Sequence, residues 1–168
     1  MILTGNKIYT EIERNNIMIS PFDKRNVNPN SYNYHLGKII KESYENNNNV
    51  HFKTINLEEM KDGYVLQPGK MYLGTTYEKI GSKKYAMSLI GRSSIGRLGM
   101  FLQISANLGH TSSYHCWTLE IIPCLPIKVY YKMTVGQVSF WKNYGKLQFF
   151  ENLYNKYNFP AESNINRL

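Results

Sequence analysis

Short runs in which apolar and polar residues alternate make up most of the chain after residue 64, and they predict β-strands. Turn-forming residues separate these runs, at Asp62-Gly63, Pro68-Gly69, Gly81-Ser82 and 109–113. Regularly spaced short strands of this kind are typical of an all-β sandwich or barrel. The strands that the pattern indicates most strongly are residues 85–90, 100–106, 116–122, 127–131 and 136–141.

The first 60 residues give a different pattern, which begins with a helix over residues 4–14. Thr4 is placed to cap its N-terminus, and Ile8 and Ile12 fall on one face of it. Three shorter signals follow: a strand over 17–22 interrupted by proline, a strand over 31–37, and an exposed loop at the asparagine tract 46–49.

Length and composition indicate one folded domain over residues 1–168. A chain of 168 residues can bury a sizeable core, and 42% apolar with 19% charged residues is a globular composition. No apolar run approaches the ~20 residues that span a bilayer, and the N-terminus lacks the apolar stretch of a signal peptide, so we expect a soluble cytoplasmic protein. The two cysteines, Cys116 and Cys124, exclude a disulfide scaffold and a cysteine-rich zinc site.

The net charge of +8 and the pI near 9.4 suggest a polyanionic partner. Nucleic acid, a membrane surface and a nucleoside triphosphate all satisfy a basic protein, so charge alone does not choose among them. The basic residues form no dense run, and aromatic residues on strands belong more often to a core than to a base-stacking surface. Nucleic acid is therefore the less favoured partner.

The stretch 90–99 carries the clearest chemistry. A strand ends at Gly91, the hydroxyls of Ser93 and Ser94 follow at a helix start, and Arg92 and Arg97 flank them. Exposed N–H groups, hydroxyls and guanidinium groups are what a phosphate chain requires. The alternative is a capped helical turn with two solvated arginines, and the Gly-Lys-Ser/Thr ending of a Walker loop is absent.

Glu120 stands in the middle of an apolar strand, where an anion is costly to bury. Either its side chain faces water or pairs with an arginine, or it exchanges protons with a substrate and a water molecule. His110, His115 and Cys116 lie close together in sequence, but their spacing matches no standard zinc site. We expect these histidines to serve in loops or packing.

The sequence resembles the dCTP deaminase family of the trimeric dUTPase superfamily. The likeness is sharpest at 91–99, which matches Gly-Arg-Ser-Ser-x-x-Arg-x-Gly, and weaker at 27–37, 68–76 and 136–140. The spacing from Arg97 to Glu120 fits without a gap, and Glu120 favours the deaminase branch. The resemblance implies a distorted β-barrel of the dUTPase type with a short N-terminal helix, and a homotrimer whose sites lie between subunits.

The resemblance further implies a zinc-free deamination of dCTP to dUTP and ammonia. Glu120 would activate water for attack on C4 of cytosine and then protonate the departing ammonia. Ser93 and Arg97 would position that water and stabilise the charge of the adduct. Mg²⁺ would be bound through the nucleotide phosphates alone.

The resemblance also implies a set of nucleotide-binding residues. They are backbone groups of Ser105, Ala106 and Asn107 for the base edge, His110 near the sugar, Arg92, Ser93, Ser94 and Arg97 for the phosphates, and Lys156 and Tyr157 in a C-terminal closing arm over 147–168.

Three positions depart from the family pattern. His110 stands where an aspartate contacts the deoxyribose and serves the triphosphate-cleaving water, so we expect weak or absent diphosphatase activity, which disfavours a bifunctional dUMP-forming enzyme. Asn33 replaces an aspartate, and Pro160 stands where a phosphate-binding glutamine is often found. Two alternatives therefore remain: a non-catalytic nucleotide-binding or regulatory protein on the same fold, and a dUTP diphosphatase.

Overall fold

The computed structural model describes residues 1–47, 49–147 and 158–163. In chain order they form α1 (Gly5–Glu13), β1 (Ile17–Ser20), a 3₁₀ turn (Lys24–Asn26), β2 (Tyr32–His35), β3 (Ile39–Asn46), β4 (Asn49–Asn56), β5 (Tyr64–Leu66), β6 (Tyr72–Ser82), β7 (Tyr85–Gly91), α2 (Ser93–Gly96), β8 (Met100–Leu102), β9 (Leu108–Gly109), β10 (Tyr114–Pro123), β11 (Ile127–Val129) and β12 (Thr134–Lys142). The prediction of a mainly β protein with a short N-terminal helix is confirmed.

Antiparallel pairing joins these strands into three sheets. The largest has the order β4-β3-β6-β10-β8, with β1 also pairing with β6, and the second has the order β2-β12-β7-β9. A small sheet contains β5 and β11. β10 pairs with β6 along most of its length and with β8 only at 121–123, so Glu120 lies next to the part of β10 that has a neighbouring strand on both sides.

Aromatic residues fill much of the core, as their positions on strands predict. Tyr32, Tyr34, Tyr72 and Phe140 are all fully buried. The Tyr34 hydroxyl donates to the carbonyl oxygen of Ile90 at 2.9 Å, so the buried phenol keeps a hydrogen bond. Burial raises the pKa of Tyr34 above its usual range. These four rings therefore stabilise the fold and are not available to stack on bases.

The N-terminal helix agrees with the prediction in place but not in its cap. Thr4 occupies the N-cap position, yet among the described contacts its side chain makes no capping hydrogen bond. Its carbonyl oxygen accepts from the Ile8 N–H at 2.8 Å, and Ile8 is fully buried. The apolar face thus anchors the helix. No helix within 1–47, 49–147 and 158–163 has the length and apolar character needed to cross a membrane.

The strand predicted over 100–106 is wrong in its second half, because β8 ends at Leu102. Gln103 adopts a positive φ of 53°, a left-handed conformation that turns the chain out of the sheet. The sequence pattern also missed the long β3–β4 hairpin, whose strands are largely exposed at their far ends. Asn46 ends β3 and Asn49 begins β4, and the described members of the asparagine tract, Asn46, Asn47 and Asn49, are exposed as expected.

Candidate active site

Glu120 lines a cavity of about 510 Å³ that is formed by β10 and its neighbouring segments. The cavity has an aromatic side, a carboxylate and several backbone groups. Its lining residues are Phe52, Met71, Leu73, Gln103, Ala106, Leu108, His115, Trp117, Thr118, Glu120, Ala161, Glu162 and Ser163. Both polar and apolar parts of a small ligand could be accommodated there.

The Glu120 side chain is half-buried, and its carboxylate has no hydrogen-bonding or ionic partner in the described part of the chain. Its backbone, by contrast, is fixed. The Glu120 N–H donates to Oε1 of Gln103 at 2.7 Å, and the Gln103 N–H donates to the Glu120 carbonyl oxygen at 3.2 Å. The residue is thus rigidly placed while its carboxylate stays available. The alternative of a structural pair with an arginine of the same chain finds no support among the described residues.

Gln103 is a site residue that the sequence did not single out. It is 8% exposed, and its Nε2 donates to the carbonyl oxygen of Ala106 at 3.2 Å while Oε1 holds the Glu120 backbone. One side chain therefore links the catalytic candidate to the segment 105–107 that is predicted to read the base edge. The link depends on the turn at residue 103, and nothing in the local sequence signals it.

Trp117 and His115 form the aromatic side of the cavity. Their ring centroids lie 4.3 Å apart, and Nε1 of Trp117 donates to the Ile80 carbonyl oxygen at 2.9 Å. Burial lowers the pKa of His115, so its ring is neutral near pH 7 and Nδ1–H donates to the Cys116 carbonyl oxygen at 2.8 Å. His115 is thus a packing residue, as expected, and it helps to shape the cavity.

The described C-terminal residues 158–163 lie along β10 and close one side of the cavity. The Ala161 N–H donates to Oγ1 of Thr118 at 3.2 Å, and the Cys116 N–H donates to Oδ1 of Asn158 at 3.3 Å. Glu162 forms an ion pair with Lys41 at 2.5 Å. Lys156 and Tyr157, which are predicted to bind phosphates, lie outside the described residues.

Ser93 and Arg97 do not reach the Glu120 cavity of their own chain. Ser93 and Ser94 begin the short helix α2, Arg92 precedes it at the N-cap position, and Arg97 follows it. Ser93, Ser94 and Arg97 are exposed, and none of these four residues is among those that line the cavity. Within one chain the three predicted catalytic residues are therefore not brought together.

The remaining predicted nucleotide contacts divide between the cavity and its surroundings. Ala106 lines the cavity, while Ser105 and Asn107 are exposed beside it. The Asn107 carbonyl oxygen accepts from the Leu89 N–H at 2.8 Å, which ties this segment to β7. His110 is exposed and lines a separate depression next to Tyr144, outside the cavity that Glu120 occupies.

Large apolar side chains are exposed after α2, on β8 and its following turn, and at the end of β10, which pairs with β8. Leu98 is 55% exposed and Leu125 57%, and Phe101, Ile104 and Ile122 are exposed with them. Exposed apolar residues clustered in this way mark a surface that associates with another molecule.

The chain matches the family model described as dCTP deaminase-like over residues 2–143. It is 41% identical over 150 residues to a protein of Clostridium beijerinckii named dCTP deaminase, dUMP-forming, covering 87% of this chain and 85% of that protein. The chain belongs to the dCTP deaminase-like family. The resemblance inferred from 91–99 and Glu120 is confirmed at the level of the family.

Two further comparisons show how far the similarity extends. A protein of Rhodopirellula baltica named dCTP deaminase is 33% identical over 149 residues, covering 84% of this chain and 72% of its own. The crystal structure of 2′-deoxycytidine 5′-triphosphate deaminase from Agrobacterium tumefaciens superposes with a TM-score of 0.68 at 20% identity. That match covers 87% of this chain and 49% of the Agrobacterium chain, so this protein spans about half its length. The predicted fold class is thereby confirmed.

Proposed function

We propose that this protein hydrolytically deaminates dCTP and releases ammonia. The observation that carries the proposal is the Glu120 carboxylate, which is rigidly positioned in a ligand-sized cavity and has no partner among the described residues. Membership of the dCTP deaminase-like family supports the choice of substrate. A carboxylate in this situation can take a proton from water as the water attacks C4 and return it to the leaving ammonia.

Ser93 and Arg97 enter this reaction from a neighbouring subunit of a homotrimer. They are exposed and do not line the Glu120 cavity of their own chain, and the strand β8 that contacts α2 carries exposed apolar side chains nearby. A second copy that covers this surface would bring a hydroxyl and a guanidinium group to Glu120. The guanidinium would then stabilise the negative charge that develops as the tetrahedral adduct forms.

Phosphate binding falls to Arg92, Ser93 and Ser94, with Lys156 and Tyr157 closing over the nucleotide. Mg²⁺ enters with the triphosphate, whose oxygens are ligands of the kind that this ion prefers. Within the described residues no group of three His, Cys, Asp or Glu side chains is placed to hold a metal ion.

The product is the point at which sequence and relatives disagree. His110 in place of the family aspartate predicts dUTP, whereas the Clostridium beijerinckii relative is named dUMP-forming, as is a Cytophaga hutchinsonii relative at 37% identity over 152 residues. These names favour dUMP as the final product, which requires cleavage of the triphosphate as well as deamination. His110 is the one residue that favours a reaction ending at dUTP.

The test is a substrate panel of CTP, dCTP, dCMP, dUTP and a 5-substituted dCTP, assayed for ammonia and for pyrophosphate. We expect ammonia from dCTP, and pyrophosphate with it shows that dUMP is formed. Ammonia without pyrophosphate establishes dUTP as the product. Tight dCTP binding without ammonia from any substrate would overturn the enzyme proposal and identify a regulatory nucleotide-binding protein. Pyrophosphate from dUTP without deamination would identify a diphosphatase.

A further inference from the structure

A second cavity, of about 720 Å³, shares no lining residue with the cavity of Glu120. It lies where β2, β6, the 3₁₀ turn and the β11–β12 connection meet. Its lining residues are Pro21, Phe22, Asp23, Lys24, Arg25, Asn26, Tyr32, His35, Tyr77, Glu78 and Lys132. None of them has a role in the proposed deamination.

The cavity contains a carboxylate–imidazole pair at its buried side. Glu78 is 1% exposed, and its Oε1 lies 2.5 Å from Nδ1 of His35. Oε2 accepts from the backbone N–H of His35 at 3.0 Å. Both carboxylate oxygens are thus engaged by one residue, which fixes the imidazole ring. With Nδ1 occupied, Nε2 is the ring nitrogen that remains for a ligand.

The other carboxylate of the cavity, that of Asp23, is paired with Arg25. The Arg25 guanidinium donates to Asp23 through Nε at 3.0 Å and through a terminal nitrogen at 2.7 Å, both to Oδ2. The arginine beside Asp23 holds the pKa of that carboxyl at about 2, so the pair is ionised near neutral pH. Arg25 and Asp23 therefore balance each other.

Two lysines of the cavity have aromatic partners instead of acidic ones. The Lys24 ammonium lies 4.9 Å from the centroid of Tyr9, and the Lys132 ammonium lies 4.7 Å from Tyr77 and 5.0 Å from Tyr131. Among the described residues neither lysine is within ion-pair distance of a carboxylate. Tyrosine faces hold an ammonium group without neutralising it, so both charges remain available to a ligand.

We propose that this cavity binds the phosphate group of a small phosphorylated molecule, through Lys24, Lys132 and Nε2 of His35. Both oxygens of the Glu78 carboxylate are engaged by His35, and Arg25 balances Asp23. Two lysine charges then remain, which complement a phosphate monoester dianion. The cavity volume leaves room for the organic part of such a molecule beyond its phosphate.

Histidine NMR provides a test that separates the two cavities. The chain has four histidines, and His35 lies in the proposed phosphate site whereas His115 lies in the cavity of Glu120. The ring resonances are assigned with His35→Gln and His115→Gln variants and followed during titration with inorganic phosphate at constant ionic strength and pH. We expect the His35 resonance to shift in a saturable manner. An unmoved His35 resonance, or the same shift with chloride, overturns the proposal.

The Lys24→Gln/Lys132→Gln double variant should lose the saturable His35 shift. The matched control is Lys84→Gln, because Lys84 also lies over a tyrosine ring, at 5.8 Å from Tyr85, but does not line this cavity. The control should retain the shift. A double variant that folds, as judged by its melting temperature, and still shows the full shift contradicts the assignment of the lysines.

Titration with dUMP and with ribose 5-phosphate distinguishes the sources of the phosphate. If the His35 resonance shifts at a lower concentration of these compounds than of inorganic phosphate, the organic part is also bound. If the concentrations needed are equal, the cavity is a site for free phosphate. Ammonia release by the double variant should remain unchanged. A failure of the deaminase proposal leaves the His35 titration unaffected, so the two proposals fail separately.

Discussion

Glu11 and Glu120 are both wholly or partly buried glutamates, but they differ in whether other residues contact the carboxylate. Glu11, on α1, is 1% exposed and is surrounded by its own neighbours: Lys7 at 2.9 Å, Asn16 at 2.8 Å and Arg14 at 3.4 Å. Glu120 has a tightly held backbone and a carboxylate without a partner among the described residues. The Glu11 carboxylate therefore has its partners within the fold, whereas the Glu120 carboxylate is available to another molecule.

This difference distinguishes a carboxylate with a structural role, that of Glu11, from one that is available to the proposed reaction, that of Glu120. Burial makes a lone carboxylate costly, so a fold that keeps one must gain something that stability does not measure. Glu42 follows the pattern of Glu11, because Lys70 and Tyr64 both contact its carboxylate. Glu120 departs from this pattern, and its cavity leaves room for another molecule to contact the carboxylate.

The largest expected effect comes from neutralising the two glutamates in turn. Glu120→Gln should lower the rate of ammonia release by about 10²–10⁴-fold, because the proton acceptor is lost. Its melting temperature should stay near that of the wild type. Glu11→Gln should do the reverse, with a lower melting temperature and normal turnover per folded molecule. Steady-state ammonia assays and thermal unfolding measure both variants, and full turnover by Glu120→Gln would remove this residue from the mechanism.

A second experiment asks where the partner of Glu120 resides. Glu120→Gln and Arg97→Ala should each be inactive alone, since each removes one half of every site. If the halves come from different subunits, unfolding and refolding a mixture at equal amounts should restore about a quarter of the wild-type activity, because about a quarter of the interfaces then combine an intact Glu120 with an intact Arg97. The unmixed variants serve as controls.

No recovery in mixtures that have demonstrably exchanged subunits would place Glu120 and Arg97 of one site in the same chain. Exchange is verified with a tagged subunit and native mass spectrometry, which also reports whether the assembly is a trimer.

A smaller effect should follow from Gln103, which holds the backbone of Glu120 but touches no reacting atom. Gln103→Leu leaves the Glu120 N–H and the Ala106 carbonyl oxygen without their partner, at a cost of about 1–3 kcal/mol per buried group. We expect kcat to fall about tenfold or more, because a displaced carboxylate meets water in a poorer geometry.

Gln103→Glu and Gln67→Leu provide the comparison for that variant. The first keeps an acceptor for the Glu120 N–H and should recover part of kcat, which a purely structural role would not predict. Gln67 is exposed, and its replacement should change neither kcat nor the melting temperature. Equal kcat values for Gln103→Leu and the wild type would show that the carboxylate does not depend on this link.

The parts of the molecule that sequence predicted are those determined by local pattern. The helix start at Ser93 and the position of Glu120 in a strand follow from neighbouring residues, and the structure has both. The turn at Gln103 and the docking of 158–163 along β10 depend on contacts between distant segments, so no local sequence pattern predicts them. The cavity of His35 likewise combines four separated stretches of chain.

The smallest effect concerns the pH dependence of stability and tests the Glu11 side of the comparison. Burial acts to raise the pKa of Glu11, but hydrogen bonds from Lys7, Asn16 and Tyr85 outweigh it and lower the pKa from 4.5 to about 2. A carboxyl group whose pKa is lower in the folded state than in the unfolded state stabilises the protein at pH values above its unfolded-state pKa. This contribution disappears as the pH falls from about 4.5 towards 2. Because Lys7 is partly exposed, we expect a contribution of about 1–3 kcal/mol at pH 7.

Denaturant unfolding should thus show that Glu11→Gln is less stable than the wild type by this amount at pH 7 and has the same free energy of unfolding near pH 2. Glu13→Gln is the matched control, since Glu13 is exposed on the same helix and forms no ion pair among the described residues. A gap between Glu11→Gln and the wild type that stays constant with pH would mean that the glutamate stabilises the helix by packing, and the contrast with Glu120 would then lie in shape and not in charge.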